Sequence, residues 1–157
     1  MEKIYKINLA SGRTYLKGYL NVDNGSMNPK NRRDVTANIF NFLRKSNRFD
    51  EIMLSHFMMY VVPEEANILF KRWYGWLKKD GKLIIETSDA RSISLMILFQ
   101  GKVGQMFGYG ATSGHKWSYT PSSIKKLLKE SGFNKFSVSR GGTHGRIFRD
   151  FTITATK

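Results

Sequence analysis

The sequence predicts an α/β fold built on a mostly parallel sheet with one antiparallel edge. Short apolar strands alternate with polar or glycine-containing turns in the first half of the chain, and helical patterns follow the later strands. Two strand patterns then close the chain with no helix between them, as in an antiparallel pair. With 157 residues, 41% of them apolar, we expect one domain over residues 1–157 with a single core.

Seven segments have the length and apolar pattern of β-strands. The first four are each followed by polar or turn sequence, which predicts loops at their carboxyl ends. The seven segments are residues 4–9, 19–22, 34–39, 50–55, 82–87, 133–139 and 148–156.

Two helices have clear start and stop signals. The first begins at Pro63, a residue suited to the first helical position, and its apolar residues recur at helical spacing until residues 80–81 (Asp-Gly). The second begins after Thr120 and ends at Gly132.

Composition excludes several kinds of site. The chain has no cysteine, which removes disulfides and thiolate chemistry, and His56, His115 and His144 lie too far apart to form a metal motif. The apolar stretch at residues 95–99 is far shorter than the ~20 residues that span a bilayer. The first nine residues alternate like a strand and lack the apolar block of a signal peptide, so we expect a cytoplasmic protein.

The charge balance is strongly positive. Lysine and arginine number 26 against 12 acidic residues, for a formal net charge of +14. A field of this sign attracts anions, although the basic residues are distributed along the chain rather than gathered in one arm. The sequence therefore predicts either a solvated basic surface or attraction of an anionic ligand.

Small and acidic residues follow the first two predicted strands. Ala10, Ser11 and Gly12 would let a ligand approach the main chain closely, and Asp23 can accept hydrogen bonds from ribose hydroxyls. Because ligands of open α/β sheets bind beyond the carboxyl ends of the strands, these residues are the first candidates for a binding site.

The order and spacing of several segments are more specific. They are INLASG (residues 7–12), KGYLNVD (17–23), DVTANI (34–39), FDEI (49–52) running on to Ser55 and His56, WLKKDGKLIIE (76–86), HKW (115–117), GF (132–133) and RDF (149–151). Together they resemble the compact class I S-adenosylmethionine-dependent methyltransferases often found with polysaccharide-synthesis enzymes. In that family a short loop replaces the usual first helix.

The resemblance covers nearly the whole chain and implies both a fold and a cofactor. It implies a three-layer Rossmann-like sandwich whose seven strands have the order 3-2-1-4-5-7-6, with strand 7 antiparallel and reduced helices on one face. It also implies S-adenosylmethionine as cofactor and S-adenosylhomocysteine as product.

The resemblance assigns cofactor contacts residue by residue. The loop at Ala10 to Gly12 would contact the methionine part, Asp23 the ribose and Asn38 the adenine. Ser55 and His56 would flank the sulfonium and the acceptor. The full set of candidate cofactor residues is Asn8, Ala10, Ser11, Gly12, Asp23, Asn24, Asn38, Ile39, Ser55 and His56.

Two positions depart from the family pattern. Similar proteins usually carry glycine at Ala10 and aspartate at Asn38. The first change adds a methyl group near the cofactor, and the second keeps an acceptor oxygen but loses a charge. A cofactor-binding fold that has lost catalysis is therefore one alternative.

Histidine is the side chain best suited to accept a proton from an acceptor hydroxyl near neutral pH. His56 is the first candidate base because it follows the fourth strand. His115 and His144 could reach the same opening of the cofactor site at the carboxyl ends of the strands. The segment from Ser55 to Met58 replaces the Asn/Asp-Pro-Pro-aromatic signature of similar enzymes that methylate amines. This difference favours an oxygen acceptor.

By association with similar enzymes, the predicted acceptor is a small molecule, a sugar or glycan intermediate, and the basic charge suits a nucleotide-linked or phosphorylated one. Residues 100–114, with five glycines, are a candidate mobile cover over it. The sparse covering of one sheet face also leaves room for a homodimer.

Two other classes fit less well. A nicotinamide dehydrogenase would need a glycine-rich loop that opens directly into a helix, and residues 13–18 are too short and too poor in glycine for that. An RNA methyltransferase or nucleic-acid-binding protein would need a continuous basic track with exposed stacking aromatics. The latter class stays the second alternative.

Overall fold

The computed structural model describes residues 5–26, 29–100, 114–142 and 148–157. His144 and residues 101–113 of the predicted cover lie outside this part of the chain. The described strands are β1 (Lys6–Leu9), β2 (Leu20–Asp23), β3 (Val35–Thr36), β4 (Phe49–Ser55), β5 (Leu77–Ser88), β6 (Lys135–Arg140) and β7 (Asp150–Thr156). The described α-helices are α1 (Pro63–Trp76), α2 (Ala90–Gln100) and α3 (Pro121–Glu130), and a short 3-10 turn spans Met58–Tyr60.

All seven described strands form one sheet in the order β3-β2-β1-β4-β5-β7-β6. The pairs from β3 through to β5 are parallel, whereas β7 pairs antiparallel with both β5 and β6. The predicted fold class and strand order are therefore confirmed, with the antiparallel strand where the resemblance implied it.

The register of the sheet brings three loops to one level of its carboxyl edge. Leu9 of β1 pairs with Val22 of β2 on one side and with Leu54 of β4 on the other. The residues that come next, Ala10, Asp23 and Ser55, therefore leave the sheet side by side. Neighbouring strands lie about 4.8 Å apart, so β2 and β4 are separated by roughly 10 Å across β1.

Helix α1 is the main helical cover of the central strands. Pro63 occupies its first turn, and the Glu65 carboxylate accepts the backbone N–H of Val62 at 3.2 Å. Its inward face, with Leu69, Phe70 and Trp73, is fully or almost fully buried in the main core. This face follows the apolar spacing that predicted the helix.

Several predictions of secondary structure were wrong. Helix α1 ends at Trp76 rather than at residues 80–81, because Leu77 has an extended backbone and pairs with Phe49 of β4. Strand β5 therefore begins at Leu77, earlier than predicted. Strand β3 covers two residues instead of 34–39, since the chain turns at residues 39–41. Helix α2 was not predicted, and Phe99 on it is 79% exposed rather than buried in a core.

Within the described residues, no helix combines the length and apolar character needed to cross a membrane.

Candidate active site

The loop after β1 has the backbone shape of a close-approach turn. Ala10 and Gly12 both lie in the left-handed region, with φ of 50° and 52°. The backbone N–H of Ser11 donates to the Val22 carbonyl at 3.0 Å, which holds the loop against the end of β2. Glycine adopts such φ values without strain, whereas an alanine methyl group resists them.

Asp23 lies at the end of β2 beside this loop. One carboxylate oxygen accepts the N–H of Gly12 at 2.9 Å, and the other accepts the N–H of Gly25 at 2.7 Å. Each carboxylate oxygen has two lone pairs, so each can accept one further donor. The half-buried carboxylate therefore has acceptor capacity left at the carboxyl edge of the sheet, and its contact with a ribose stays a prediction.

Two buried asparagines shape the chain between β1 and β2. Asn8 donates from its amide to the Thr14 carbonyl at 2.7 Å and to the Asn21 side chain at 3.0 Å. Asn21 in turn accepts the N–H of Leu16 at 2.9 Å and donates to the Tyr19 carbonyl at 2.9 Å. These hydrogen bonds hold the segment between β1 and β2, whose described residues form no helix. Asn8 therefore supports the loop that follows β1.

The remaining candidate cofactor residues follow β2 and β3. Asn38 is exposed, and its side-chain oxygen accepts the N–H of Phe40 at 3.0 Å, while Ile39 is 4% exposed and packs in the core. Asn24 is exposed, and its side-chain oxygen accepts the Ser26 N–H at 2.9 Å. The contact of Asn38 with adenine, and those of Ile39 and Asn24 with the cofactor, stay predictions.

His56 follows β4 directly and has a strained backbone. Its φ is 54°, in the left-handed region that disfavours side chains other than glycine. Its N–H donates to the Glu86 carbonyl at 2.8 Å, which extends the pairing of β4 with β5 by one step. Strained residues of this kind cluster at functional sites, where they aim a side chain.

The imidazole of His56 is held between two carboxylates. Its Nε2 lies 3.0 Å from Oδ2 of Asp150. Its Nδ1 lies 3.1 Å from the Ser55 hydroxyl and 3.6 Å from Oε1 of Glu86. The ring is 19% exposed, whereas the Glu86 and Asp150 side chains are 1% and 0% exposed. The ring is therefore the part of this cluster that a ligand can reach.

Asp150 is a buried carboxylate with a complete set of donors. Its Oδ1 accepts the Ser88 hydroxyl at 3.0 Å and Nε of Arg149 at 3.1 Å, and its Oδ2 faces His56. Burial alone would raise the pKa of Asp150, but the hydrogen bonds from His56 and Arg149, together with their charges, outweigh it and lower the pKa to about 2. Asp150 is therefore ionised at neutral pH.

An ionised Asp150 determines how the His56 ring works. It accepts Nε2–H, which leaves Nδ1 as the ring nitrogen able to take a proton. His56, Glu86 and Asp150 also present one ligand atom each within 4.8 Å of one another, a set that could coordinate a divalent cation.

The structure brings His115 to the same end of the sheet. The N–H of Lys116 donates to the Met59 carbonyl at 2.8 Å, three residues beyond His56. The His115 ring packs edge-on against Tyr60, with ring centroids 5.2 Å apart, and burial lowers the pKa of His115. His144 cannot be placed, since it lies outside the described residues.

Sequence reasoning missed the partners of His56. Glu86 and Asp150 were placed in predicted strands and in the segments that carry the resemblance, without a role in the site, and Ser88 was not considered. A signal was present, because an antiparallel last strand begins at the carboxyl edge where the parallel strands end. A polar residue that opens β7, such as Asp150, is therefore carried to the site.

Solved structures define the class to which this fold belongs. A SAM-dependent methyltransferase from Archaeoglobus fulgidus matches with a TM-score of 0.69 and 15% identity, covering 97% of this chain and 85% of that one. A Thermotoga maritima protein described as a SAM-dependent methyltransferase, possible histamine N-methyltransferase, matches with a TM-score of 0.68 and 18% identity. The match covers 97% of this chain and 81% of that one. The Burkholderia thailandensis 1,6-didemethyltoxoflavin-N1-methyltransferase, solved with 1,6-didemethyltoxoflavin and S-adenosylhomocysteine, matches with a TM-score of 0.65 and 13% identity. The match covers 97% of this chain and 70% of that one. The fold is that of the Rossmann-like SAM-dependent methyltransferases.

The family follows from sequence. The family described as a methyltransferase domain matches residues 5–138, and this chain belongs to it. No curated protein matches the chain. The protein is thus a member of a methyltransferase-domain family with the fold of the SAM-dependent methyltransferases.

Proposed function

We propose that this chain acts as one methyltransferase domain that methylates a hydroxyl group of a small-molecule acceptor, a sugar or glycan intermediate. The observation that carries the proposal is the strained His56 at the end of β4, with its ring hydrogen-bonded to the ionised Asp150. An imidazole held in this way is a general base, which a hydroxyl acceptor needs and an unprotonated amine does not.

The bound cofactor supplies an electrophilic methyl group on its sulfonium. Ala10, Ser11 and Gly12 approach the methionine part with their backbone, and Asp23 accepts hydrogen bonds from the ribose. His56 would take the acceptor proton on Nδ1, and Asp150 would be a positioning residue that holds the ring through Nε2. Proton removal by a positioned base contributes about 10² to 10⁴ in rate.

The acceptor class has two supports. Ser55 and His56 occupy the place where amine-methylating relatives carry their proline-containing signature, and the sequence resembles enzymes found with polysaccharide synthesis. The formal net charge of +14 suits an anionic acceptor such as a nucleotide-linked or phosphorylated sugar.

The test is methyl transfer from radiolabelled S-adenosylmethionine to sugar phosphates, nucleotide sugars and short glycans. Once an acceptor is found, its amino-sugar analogue supplies a matched substrate that needs no base at high pH. His56→Gln is compared with His115→Gln on both substrates.

We expect His56→Gln to lower kcat for the hydroxyl acceptor by about 10² to 10⁴, with cofactor affinity retained. Its kcat for the amine analogue at high pH should stay within a few-fold of the parent. Equal losses on both substrates would assign His56 to structure, and a larger loss in His115→Gln would move the base to His115.

A further inference from the structure

A second pocket lies at the amino edge of the sheet, away from the candidate active site. It has a volume of about 500 Å³ and is lined by Leu20, Leu43, Arg44, Lys45 and Arg48. Leu20 opens β2, and Arg48 directly precedes β4, so the pocket lies where these strands begin. Strand β4 is seven residues long, which separates the pocket from His56 by about 20 Å.

Three of the five lining side chains are cations. Within the described ranges, none of them forms an ion pair with a carboxylate. Burial lowers the pKa of Arg44, and the nearby charge of Arg48 lowers it further. Like charges this close raise the energy of the empty pocket, and a bound anion would relieve that repulsion.

The cations are held in place by the fold. The Arg44 guanidinium lies 4.0 Å above the ring of Phe42, which packs edge-on against Trp76 with 6.1 Å between ring centroids. The backbone N–H of Arg48 donates to the Trp76 carbonyl at 2.8 Å. The Arg44 side chain and the Arg48 backbone are therefore tied to the end of helix α1, while the side chains of Lys45 and Arg48 are exposed.

The helix end does not by itself account for three cations. The carboxyl end of a helix is equivalent to about half a negative charge, and its effect is confined to the last turn. Among the described residues, two or more positive charges at the pocket are left without a carboxylate in an ion pair.

We propose that this pocket binds a diphosphate group. Guanidinium groups match phosphate oxygens in geometry and charge, and a diphosphate carries enough negative charge to balance three cations. The pocket is large enough for a group attached to the diphosphate, and Leu43, which is 67% exposed, offers that group an apolar contact. The diphosphate could belong to a free nucleotide or sugar, or to a lipid headgroup.

The experiment is calorimetric titration of the whole chain with inorganic pyrophosphate, at low and at moderate salt. The test variant is Arg44→Gln/Arg48→Gln. The matched control is Lys71→Gln/Lys126→Gln, which removes two exposed cations from helices α1 and α3. A parallel sedimentation assay uses phosphatidylcholine vesicles with and without a lipid diphosphate.

We expect saturable binding of pyrophosphate that weakens about tenfold or more in the test variant, weakens with salt, and is unchanged in the control. Saturating S-adenosylhomocysteine should leave this affinity unchanged, which separates the pocket from the methyl-transfer site. Binding to the diphosphate vesicles would identify a lipid source, and pyrophosphate binding without it a free diphosphate. Equal losses in both variants, competition with S-adenosylhomocysteine, or no binding of either probe would overturn the proposal.

Discussion

Replacing Asp150 by asparagine should destabilise the fold measurably at neutral pH. The lowering of the Asp150 pKa from its ordinary 3.8 to about 2 corresponds to roughly 2 kcal/mol of stabilisation by the charged form. Asparagine keeps the shape but removes the charge, and its NH2 group would face Nε2 of His56 or the Arg149 guanidinium. Asp150→Asn should therefore lower the free energy of unfolding at pH 7 by about 2 kcal/mol.

The pH dependence of this effect has a definite sign. Because the folded-state pKa is depressed, the stabilisation is present above the unfolded pKa near 3.8 and is lost as pH falls toward 2. The difference between the parent and Asp150→Asn should be constant from pH 7 to about 5 and shrink below pH 4.

Urea unfolding followed by far-ultraviolet circular dichroism at several pH values measures both effects. Asp50→Asn is the matched control, because Asp50 is 51% exposed and pairs with Lys78 at 2.7 Å on the surface. An exposed pair contributes about 0–1 kcal/mol, so the control should change little. The reasoning is refuted if Asp150→Asn equals the control at pH 7, or if its deficit grows as pH falls.

Two further substitutions test the backbone at the site edge. Ala10→Gly should raise the free energy of unfolding by about 1 kcal/mol, and Tm by roughly 2 to 4 °C, because Ala10 has a φ of 50°. The control Ala66→Gly, inside α1, should lower both quantities. A lower Tm for Ala10→Gly would contradict the backbone strain at Ala10. Gly142→Ala should cost about 1 to 3 kcal/mol by overlap with the buried Glu86 carboxylate. Adding Glu86→Ala to Gly142→Ala should raise the Tm measured by thermal unfolding. A Gly142→Ala variant as stable as the parent would show that the Glu86 side chain moves aside and would contradict the expected overlap.

The sheet could be predicted because its signals are local. The apolar pattern of each strand and the turn residues after it can be recognised in the sequence. Asp23 could be proposed as a site residue because it stands at the end of a strand. Helix α2 was missed because it is apolar without a clear buried stripe. Leu95, Leu98 and Phe99 are 56%, 76% and 79% exposed, so no periodic core face marked the helix.

The site was only half predictable for a different reason. His56 follows a strand and could be proposed from its position, but its partner Asp150 lies 94 residues away. Only the antiparallel pairing of β5 with β7 brings Ser88 opposite Asp150 and beside His56. Such a contact depends on tertiary register, and no local pattern in one sequence encodes it.

The central claim is that the cofactor binds at the carboxyl edge of β1 and β2 through Asp23. Its most direct test is calorimetric titration with S-adenosylhomocysteine of the parent, Asp23→Asn and the control Asp50→Asn, with NAD as a comparison ligand. We predict saturable binding by the parent and the control, a loss of about 10-fold to 100-fold in affinity for Asp23→Asn, and no NAD binding. Unchanged affinity in Asp23→Asn, or preference for NAD, would contradict the account.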